Sequence, residues 1–362
     1  MGSVPVSSFQ EIPEKVRTLR GTIQPAGILN HRDLGCTLIW VLLVAAAVPA
    51  PASDVISLQF ENDILGLDDS DRHYTNGVEL SWQKLIAGPG KAQPAWWPGR
   101  VLFHPGDTMF RRLSVGQNLY TPENIENPDL IPDDRPYAGW LHLDLGLIVC
   151  GGESMTALDL SLGIVGPSAQ GEPMQKWIHQ VIGSPIPEGW ANQLHDELAV
   201  VLGFERRWSS LYFLGIPPGL DQVGLQADFI PYVDLSLGNV FTHAGGGVFF
   251  RLGQGLEGDY GPPRIRPGPR GSVFFRSEQK LTWYLFVGAE GRIVAQNIFL
   301  DGNTFGSSHS VDKEPLVGNV LGGVAVAWLG ARLAFTYVHN SKEFKIQQGT
   351  DHYGALTFSV RF

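Results

Sequence analysis

The chain ends on "ALTFSVRF", residues 355–362, and this stretch decides which fold the sequence can form. Its apolar residues, Leu356, Phe358, Val360 and Phe362, alternate with small or polar residues. Because successive side chains of a strand point to opposite faces, this period of two predicts a strand with one apolar face. A final strand that ends on an aromatic residue is typical of bacterial outer membrane barrels. The alternative is a half-buried strand in a soluble domain.

Eleven further segments of about ten residues show similar alternation between turn-forming residues. In the ninth, Leu285 and Val287 share one face, whereas Glu290 and Arg292 share the other. These charges would be costly against lipid, so their face should point inward. An even number of strands suits a closed antiparallel barrel, which leaves no unpaired edge in the membrane. The predicted strands are 54–63, 74–84, 107–118, 137–150, 154–165, 198–209, 223–237, 239–252, 281–296, 316–329, 331–342 and 350–362.

The sequence therefore predicts an all-β protein, a twelve-stranded antiparallel transmembrane β-barrel with one short helix in an external loop. Five tryptophans at strand positions are expected in aromatic girdles at the two membrane interfaces: Trp82, Trp140, Trp208, Trp283 and Trp328. Short connections such as 150–154 contrast with long ones, and we expect short turns at one end and long loops at the other. The Pro- and Gly-rich stretch "GPPRIRPGPR", residues 261–270, is predicted to be an external loop.

The N-terminal region has the features of an export signal. The apolar run "TLIWVLLVAAAV", residues 37–48, precedes small residues at Ala50 and Ala52, which predicts signal peptide cleavage after Ala52. The run is shorter than the ~20 residues that span a bilayer as a helix. We therefore divide the chain into an extension with a signal peptide, residues 1–52, and an outer membrane barrel, residues 53–362.

Composition excludes two classes of protein. The formal net charge of −10 would repel phosphate, so we expect no nucleic acid partner. Cleavage after Ala52 would leave Cys150 as the one cysteine, which excludes an internal disulfide. We expect the barrel to be a monomer in contact with outer membrane lipids.

Two polar stretches flank predicted strands. "FENDILGLDDSDRHYTNGVELSW", residues 60–82, contains five clustered carboxylates, which suit either a calcium site or a solvated acidic turn: Glu61, Asp63, Asp68, Asp69 and Asp71. "PDDRPYAGW", residues 132–140, indicates a charged loop with Tyr137 and Trp140 in a girdle.

One segment has helical spacing, "IVGPSAQGEPMQKWIHQVIG", residues 164–183. Pro173 suits a first turn and Gly183 suits a helix end. Gln175 and His179 lie four residues apart at the edge of an apolar stripe; the stripe comprises Met174, Ile178, Val181 and Ile182. The histidine is either a general base for water or a packing residue where the helix meets the barrel.

Taken together, "END…YTNG…SW", "DDRPYAGW", "GIVGPSAQG…Q…H…IG" and "GWANQL" resemble the outer membrane lipid A 3′-O-deacylase family. The resemblance runs from about residue 54 to the last residue. It implies a twelve-stranded barrel in the bacterial outer membrane, with a calcium-dependent site between the barrel wall and a helix near the outer rim. The implied reaction hydrolyses the ester-linked acyl chain at the 3′ position of lipid A, so lipopolysaccharide is the implied substrate.

The resemblance also implies roles for individual residues. Asn62, Thr75 and Gln175 would orient the reacting groups, His179 would be the base, and Asp63 would bind Ca²⁺. Some family members have a glutamate six residues after the histidine, where this chain has Pro185, and we expect Glu188, the nearest carboxylate, to replace it as a metal ligand. The basic residues that some members carry before "DDRPYAGW" are missing from "TPENIENPDLIP", residues 121–132.

The expected chemistry is attack on the ester by a water that His179 deprotonates, while calcium stabilises the oxyanion. Ideal pleating would point the adjacent Asn62 and Asp63 to opposite faces, so a bulge or a strand end is required there. Two alternatives remain: an outer membrane phospholipase with Ser81 or Ser168 as nucleophile, and a non-catalytic, porin-like barrel. Neither serine lies in a G-x-S-x-G sequence.

Overall fold

The computed structural model describes residues 54–66, 73–88, 107–209, 224–263 and 281–362. The predicted extension and signal peptide, residues 1–52, and the acidic residues Asp68, Asp69 and Asp71 lie outside the described residues. Within the described ranges, the helices are too short or too polar to cross a membrane.

Twelve antiparallel strands form a closed barrel in which each strand pairs with its sequence neighbours and the last pairs with the first. This confirms the predicted fold. The strands are β1 Val55–Asn62, β2 His73–Ala87, β3 Thr108–Thr121, β4 Ala138–Gly151, β5 Ser154–Val165, β6 Glu197–Trp208, β7 Gln226–Gly238, β8 Phe241–Gln254, β9 Leu281–Asn297, β10 Leu316–Trp328, β11 Ala331–Asn340 and β12 Asp351–Arg361. Two helices lie in the connections, α1 Gly171–Ile182 and α2 Ile298–Asp301.

The predicted alternation in β9 is confirmed by burial. Leu285 and Val287 are 53% and 57% exposed, whereas Arg292 is 5% exposed and faces the lumen. Tyr232 of β7 donates its hydroxyl hydrogen to the carboxylate of Glu290 inside the barrel. The outer face is therefore apolar and the inner face is polar, as a membrane barrel requires.

Four of the five tryptophans lie on the outer face near the barrel end that carries Asp54 and Phe362, the terminal end: Trp82, Trp208, Trp283 and Trp328. They form one girdle where two were expected. The prediction for Trp140 was wrong, because the even-numbered residues of this part of β4 point inward. Its ring centroid lies 4.2 Å from that of His142 in the lumen.

Long connections leave both ends of the barrel, so the expected division into short turns and long loops was wrong. At the terminal end, the tight turns after β4 and β10 lie beside the long connections after β2, β6 and β8. At the other end, which we call the far end, the connection from β7 to β8 is short and the others are longer. The connection between β5 and β6, which contains α1, belongs to the far end.

The connection after β8 folds back into the lumen instead of extending outward. Arg207 of β6 donates to the carbonyls of Tyr260 and Pro262, at 3.1 and 3.0 Å. Arg332 of β11 donates to the Gly261 carbonyl at 3.3 Å. The described part of the predicted external loop, residues 261–263, is therefore held inside the terminal end of the barrel. A barrel of this width needs such filling, which a Pro- and Gly-rich composition does not reveal.

Candidate active site

A row of residues crosses four strands near the far end of the barrel. Asn62 of β1 pairs with Asn76 of β2, Asn76 with Leu119 of β3, and Leu119 with Gly139 of β4. The residues that flank them face the lumen, so this row faces outward, toward the membrane side. Asn62 and Asn76 are nevertheless only 5% and 2% exposed. Part of the chain therefore covers this polar patch from outside the barrel.

The strand end that Asn62 and Asp63 require is present. β1 ends at Asn62, and Asp63 begins a 3₁₀ turn, Asp63–Gly66. Leu65 in this turn packs against the outward-facing Gly354 of β12, where a Cβ atom would overlap it. The turn therefore lies on the outer face, and the Asp63 side chain in it is 2% exposed.

Asn76 continues the outer face of β2 that includes Leu80, and a β-bulge just before it turns Tyr74 to the inner face. The register with β3 shifts between Tyr74 and Asn76, which leaves Thr75 as the extra residue. Tyr74 consequently points inward, where its hydroxyl contacts the carboxylate of Glu61. A Cβ atom on Gly77 would overlap that hydroxyl, which explains the glycine of "YTNG". The Thr75 side chain lies outside the described part of the structure.

Helix α1 lies against the outer face of β3 and β4. A Cβ atom on Gly139 would lie 3.2 Å from the backbone of Gly171, so wall and helix are in close contact there. Gln117 of β3 donates to the Ala169 carbonyl at 2.7 Å, just before the helix begins. The helix ends as predicted at Gly183, which has φ 77° and donates its N–H to the His179 carbonyl at 2.8 Å.

The helix buries its polar pair and exposes its apolar stripe. Gly171, Gln175 and His179 are its buried residues, whereas Val181 and Ile182 are 47% and 49% exposed. A surface helix of a soluble protein normally does the reverse. On the outside of a membrane barrel, the exposed apolar stripe faces lipid and the buried polar pair faces the wall.

Both polar side chains of the pair are held in defined orientations. Trp190 donates from Nε1 to Oε1 of Gln175 at 2.8 Å. Gln175 is 1% exposed, and its Nε2 has no hydrogen-bond partner within the described part of the chain. An unsatisfied buried amide costs about 1–3 kcal/mol, so a group of this kind indicates a ligand or a water that completes it.

The tautomer of His179 follows from its contact with the backbone. Its Nδ1 lies 2.5 Å from the carbonyl oxygen of Pro185. A carbonyl oxygen only accepts hydrogen bonds, so Nδ1 carries the proton and Nε2 is the basic nitrogen. Pro185 thus orients the imidazole through its backbone carbonyl. The Glu188 side chain is exposed, and its N–H donates to the Ile125 carbonyl at 2.8 Å.

The structure places the start of α1 beside Gly139 and Leu119, which lie in the same outward-facing row as Asn62 and Asn76. Adjacent strands lie ~4.8 Å apart, so Asn62 is about 14 Å from Gly139, where the helix begins. The twelve residues of α1 span about 18 Å, which is enough to cover that distance. We therefore treat wall and helix as the two sides of one candidate site.

Sequence reasoning missed three groups here: Asn76, Trp190 and the Pro185 carbonyl. Asn76 and Trp190 lie in the quoted motifs "YTNG" and "GWANQL", but neither had a predicted role. The direct pairing of Asn76 with Asn62 would have identified it, had the strand register been known. No sequence signal identifies a backbone carbonyl as the partner of a histidine.

The "DDRPYAGW" stretch connects the far-end loops and does not form a surface girdle. Arg135 is buried and pairs with Glu343 at 2.6 Å. Tyr137 is also buried, and its hydroxyl donates to the Ile125 carbonyl at 2.9 Å. The girdle position predicted for Tyr137 was therefore wrong, since the motif stabilises the loops next to the candidate site.

Comparisons with known proteins identify the family of the chain and a similar solved structure. The model of the family "Outer membrane protein LpxR" matches residues 36–362. LpxR from Salmonella typhimurium superposes with a TM-score of 0.69 at 18% identity, covering 85% of this chain and 100% of that chain. The translocator domain of the autotransporter NalP from Neisseria meningitidis gives a TM-score of 0.33 at 11% identity, covering 92% and 96%. No curated protein matches the sequence. Since the family match covers most of the sequence, the chain belongs to the LpxR family of outer membrane proteins.

Proposed function

We propose that the protein hydrolyses the ester-linked acyl chain at the 3′ position of lipid A within the outer membrane. The observation that carries this proposal is a group of polar side chains buried on the membrane side of the barrel wall. Polar groups on that face are costly, so their presence there indicates a function. Membership of the LpxR family supports lipid A as the substrate.

The position of the polar patch favours a lipid substrate. It lies at the ends of the strands, where the apolar band of a barrel meets the headgroup region. The ester bonds of a membrane lipid lie at that depth. A lipid that diffuses sideways along the wall would reach the patch without entering the lumen.

In the proposed reaction, Nε2 of His179 takes a proton from water as the water oxygen bonds to the ester carbonyl carbon. The imidazolium then returns this proton to the leaving sugar oxygen as the carbon–oxygen bond breaks. The products are a fatty acid and a free 3′ hydroxyl. Gln175 would donate from Nε2 to the carbonyl oxygen as it becomes negative, and Asn62 and Thr75 would orient the substrate.

Asp63 is the residue that we propose to hold Ca²⁺, because a carboxylate that is 2% exposed suits a hard cation. No three Asp, Glu, His or Cys side chains of the described ranges cluster as a metal site. The remaining ligands would therefore be amide, carbonyl or water oxygens, with Glu188 as the second carboxylate proposed. When bound, the cation supplies Lewis acid polarisation of the ester carbonyl.

The two alternative functions have less structural support. Ser81 faces the lumen, away from the membrane lipids. Ser168 donates from Oγ to Asp196 at 2.7 Å, so its contact is with a carboxylate and not with an imidazole. Neither serine is placed for the Ser–His pairing of a phospholipase nucleophile. The loop inside the lumen argues against a porin.

Mass spectrometry of lipid A from cells that express the protein tests the proposal. We expect the wild type to release the 3′-linked acyl chain when calcium is present, and the His179→Ala variant to lose about 10²–10⁴-fold in rate, as expected for a general base. Heat-modifiable gel mobility should show that the variant barrel folds. Loss of an acyl chain from a phospholipid instead, or full activity of His179→Ala, would contradict the proposal.

A further inference from the structure

On the membrane side of the wall, Asn76 is a second buried amide. Like that of Gln175, its side-chain nitrogen, Nδ2, has no hydrogen-bond partner among the described residues. Asn76 is 2% exposed. Its position opposite Asn62, directly after the bulge at Thr75, places it within the polar patch described above. The proposed reaction so far gives this residue no role.

The fold does not require a polar side chain at this position. Leu80 lies four residues further along β2 on the same outer face and is 50% exposed, as expected for a residue in contact with lipid. Leu119, the neighbour of Asn76 in the row, is fully buried and apolar. An apolar residue at position 76 would therefore suit its surroundings. A buried amide without an acceptor destabilises the free protein, so the amide at this position calls for another explanation.

Asn76 and Gln175 together have the chemistry of a site for an acceptor-only group. Oε1 of Gln175 is occupied by the Trp190 indole, so the donor that remains is Nε2. Asn76 offers Nδ2 from the wall, while Gln175 belongs to the buried face of the helix. An ester carbonyl oxygen accepts two hydrogen bonds and binds both more strongly as negative charge develops on it.

We propose that Asn76 is a substrate-contacting residue that donates from Nδ2 to the carbonyl oxygen of the ester being cleaved. This inference rests on the proposed function and adds to it a donor on the wall side. Because the charge on that oxygen is largest in the transition state, the contribution of Asn76 should be to kcat more than to KM.

The test compares Asn76→Leu and Asn76→Ala with the wild type in two measurements, acyl release from purified lipid A and thermal unfolding followed by gel mobility. We expect kcat to fall about 10²–10³-fold with little change in KM, as for removal of one oxyanion donor. We expect Asn76→Leu to unfold at the same temperature as the wild type or higher, since it removes a polar group that lacks a partner. Asn76→Ala, which is smaller, provides the kinetic test if leucine prevents folding.

Ser236→Ala is the matched control. Ser236 is also buried, and its Oγ has no partner within the described ranges, but it lies on the inner face of β7 across the barrel. This variant should keep both its stability and its kcat. The inference is wrong if Asn76→Leu unfolds at a lower temperature than the wild type while both variants, once folded, keep the wild-type kcat. Asn76 would then have a structural role only. A wild-type protein that releases no acyl chain would overturn the proposed function, and this inference with it.

Discussion

Two carboxylates are candidates for binding calcium, and their surroundings differ. Asp63 is almost completely buried at the junction between β1 and the 3₁₀ turn, whereas the Glu188 side chain is exposed. The attraction between a carboxylate and a cation is screened less in a buried position than in a solvated one. Asp63 should therefore dominate the affinity for calcium.

The first prediction compares the calcium dependence of Asp63→Asn and Glu188→Gln. Loss of a group that only hydrogen-bonds to a metal ligand already weakens metal binding about 10–100-fold. Asp63→Asn changes a proposed ligand itself, so it should raise the calcium concentration for half-maximal deacylation by at least about tenfold. Glu188→Gln should shift it less. The measurement is acyl release in calcium buffers, with Asp312→Asn, an exposed carboxylate in another loop, as the control. If Glu188→Gln raised the half-maximal calcium concentration as much as Asp63→Asn, Glu188 would contribute as much as Asp63 to calcium binding, and the prediction would be wrong.

For single residues, the sequence predicts which residue types form the candidate site better than it predicts the face to which each side chain points. The four-residue spacing of Gln175 and His179 was sufficient to place them on one face of a helix, and that placement is confirmed. The outward direction of Asn76 follows from alternation with Leu80, but the inward direction of Tyr74 could not be read in this way, because the bulge at Thr75 reverses its parity. A single extra residue exchanges inner and outer faces, and nothing in "YTNG" marks it as the extra one.

Among the elements, α1 has three distinct sides. Gly171, Gln175 and His179 form the side against the wall. Trp177 and Val181 belong to an exposed apolar side, and the polar residues of the helix form the third. Such a helix lies in the plane of the membrane interface, with its apolar side in lipid and its polar side in water. The apolar stripe was found from the sequence, but the lipid environment inverts its usual role.

The second prediction tests this arrangement with nitroxide labels at Val181→Cys and Gln180→Cys, each in a background in which Cys36 and Cys150 are replaced by alanine. We expect the label at 181 to be more accessible to oxygen, which concentrates in lipid, and the label at 180 to a water-soluble nickel complex. The two positions are adjacent and both are exposed, so the comparison reports the environment alone. Equal accessibility to nickel would mean that the helix stands away from the membrane surface.

For the whole molecule, the contents of the lumen bear on whether the barrel can act as a pore. Arg112 pairs with Glu79 at 2.9 Å and with Asp159 at 3.3 Å, one of several ion pairs inside the barrel. Arg251 pairs with Asp228 at 2.5 Å and contacts Asp259 of the inward-folded loop. The twelve strands were predictable from alternation, but this filling was not, because composition does not show whether a loop turns outward or inward.

The third prediction is that the purified barrel does not form a steady channel in a planar lipid bilayer. Arg251, Asp228 and Asp259 are buried inside the barrel, and Arg251→Ala should open the lumen intermittently, because it leaves the two carboxylates without their shared partner. Arg206→Ala is the matched control, since Arg206 is an exposed arginine on the outer face of β6. It should leave the barrel closed. A stable open conductance of the wild type would mean that the inward-folded loop leaves the lumen in the membrane, and the porin-like function would then have direct support.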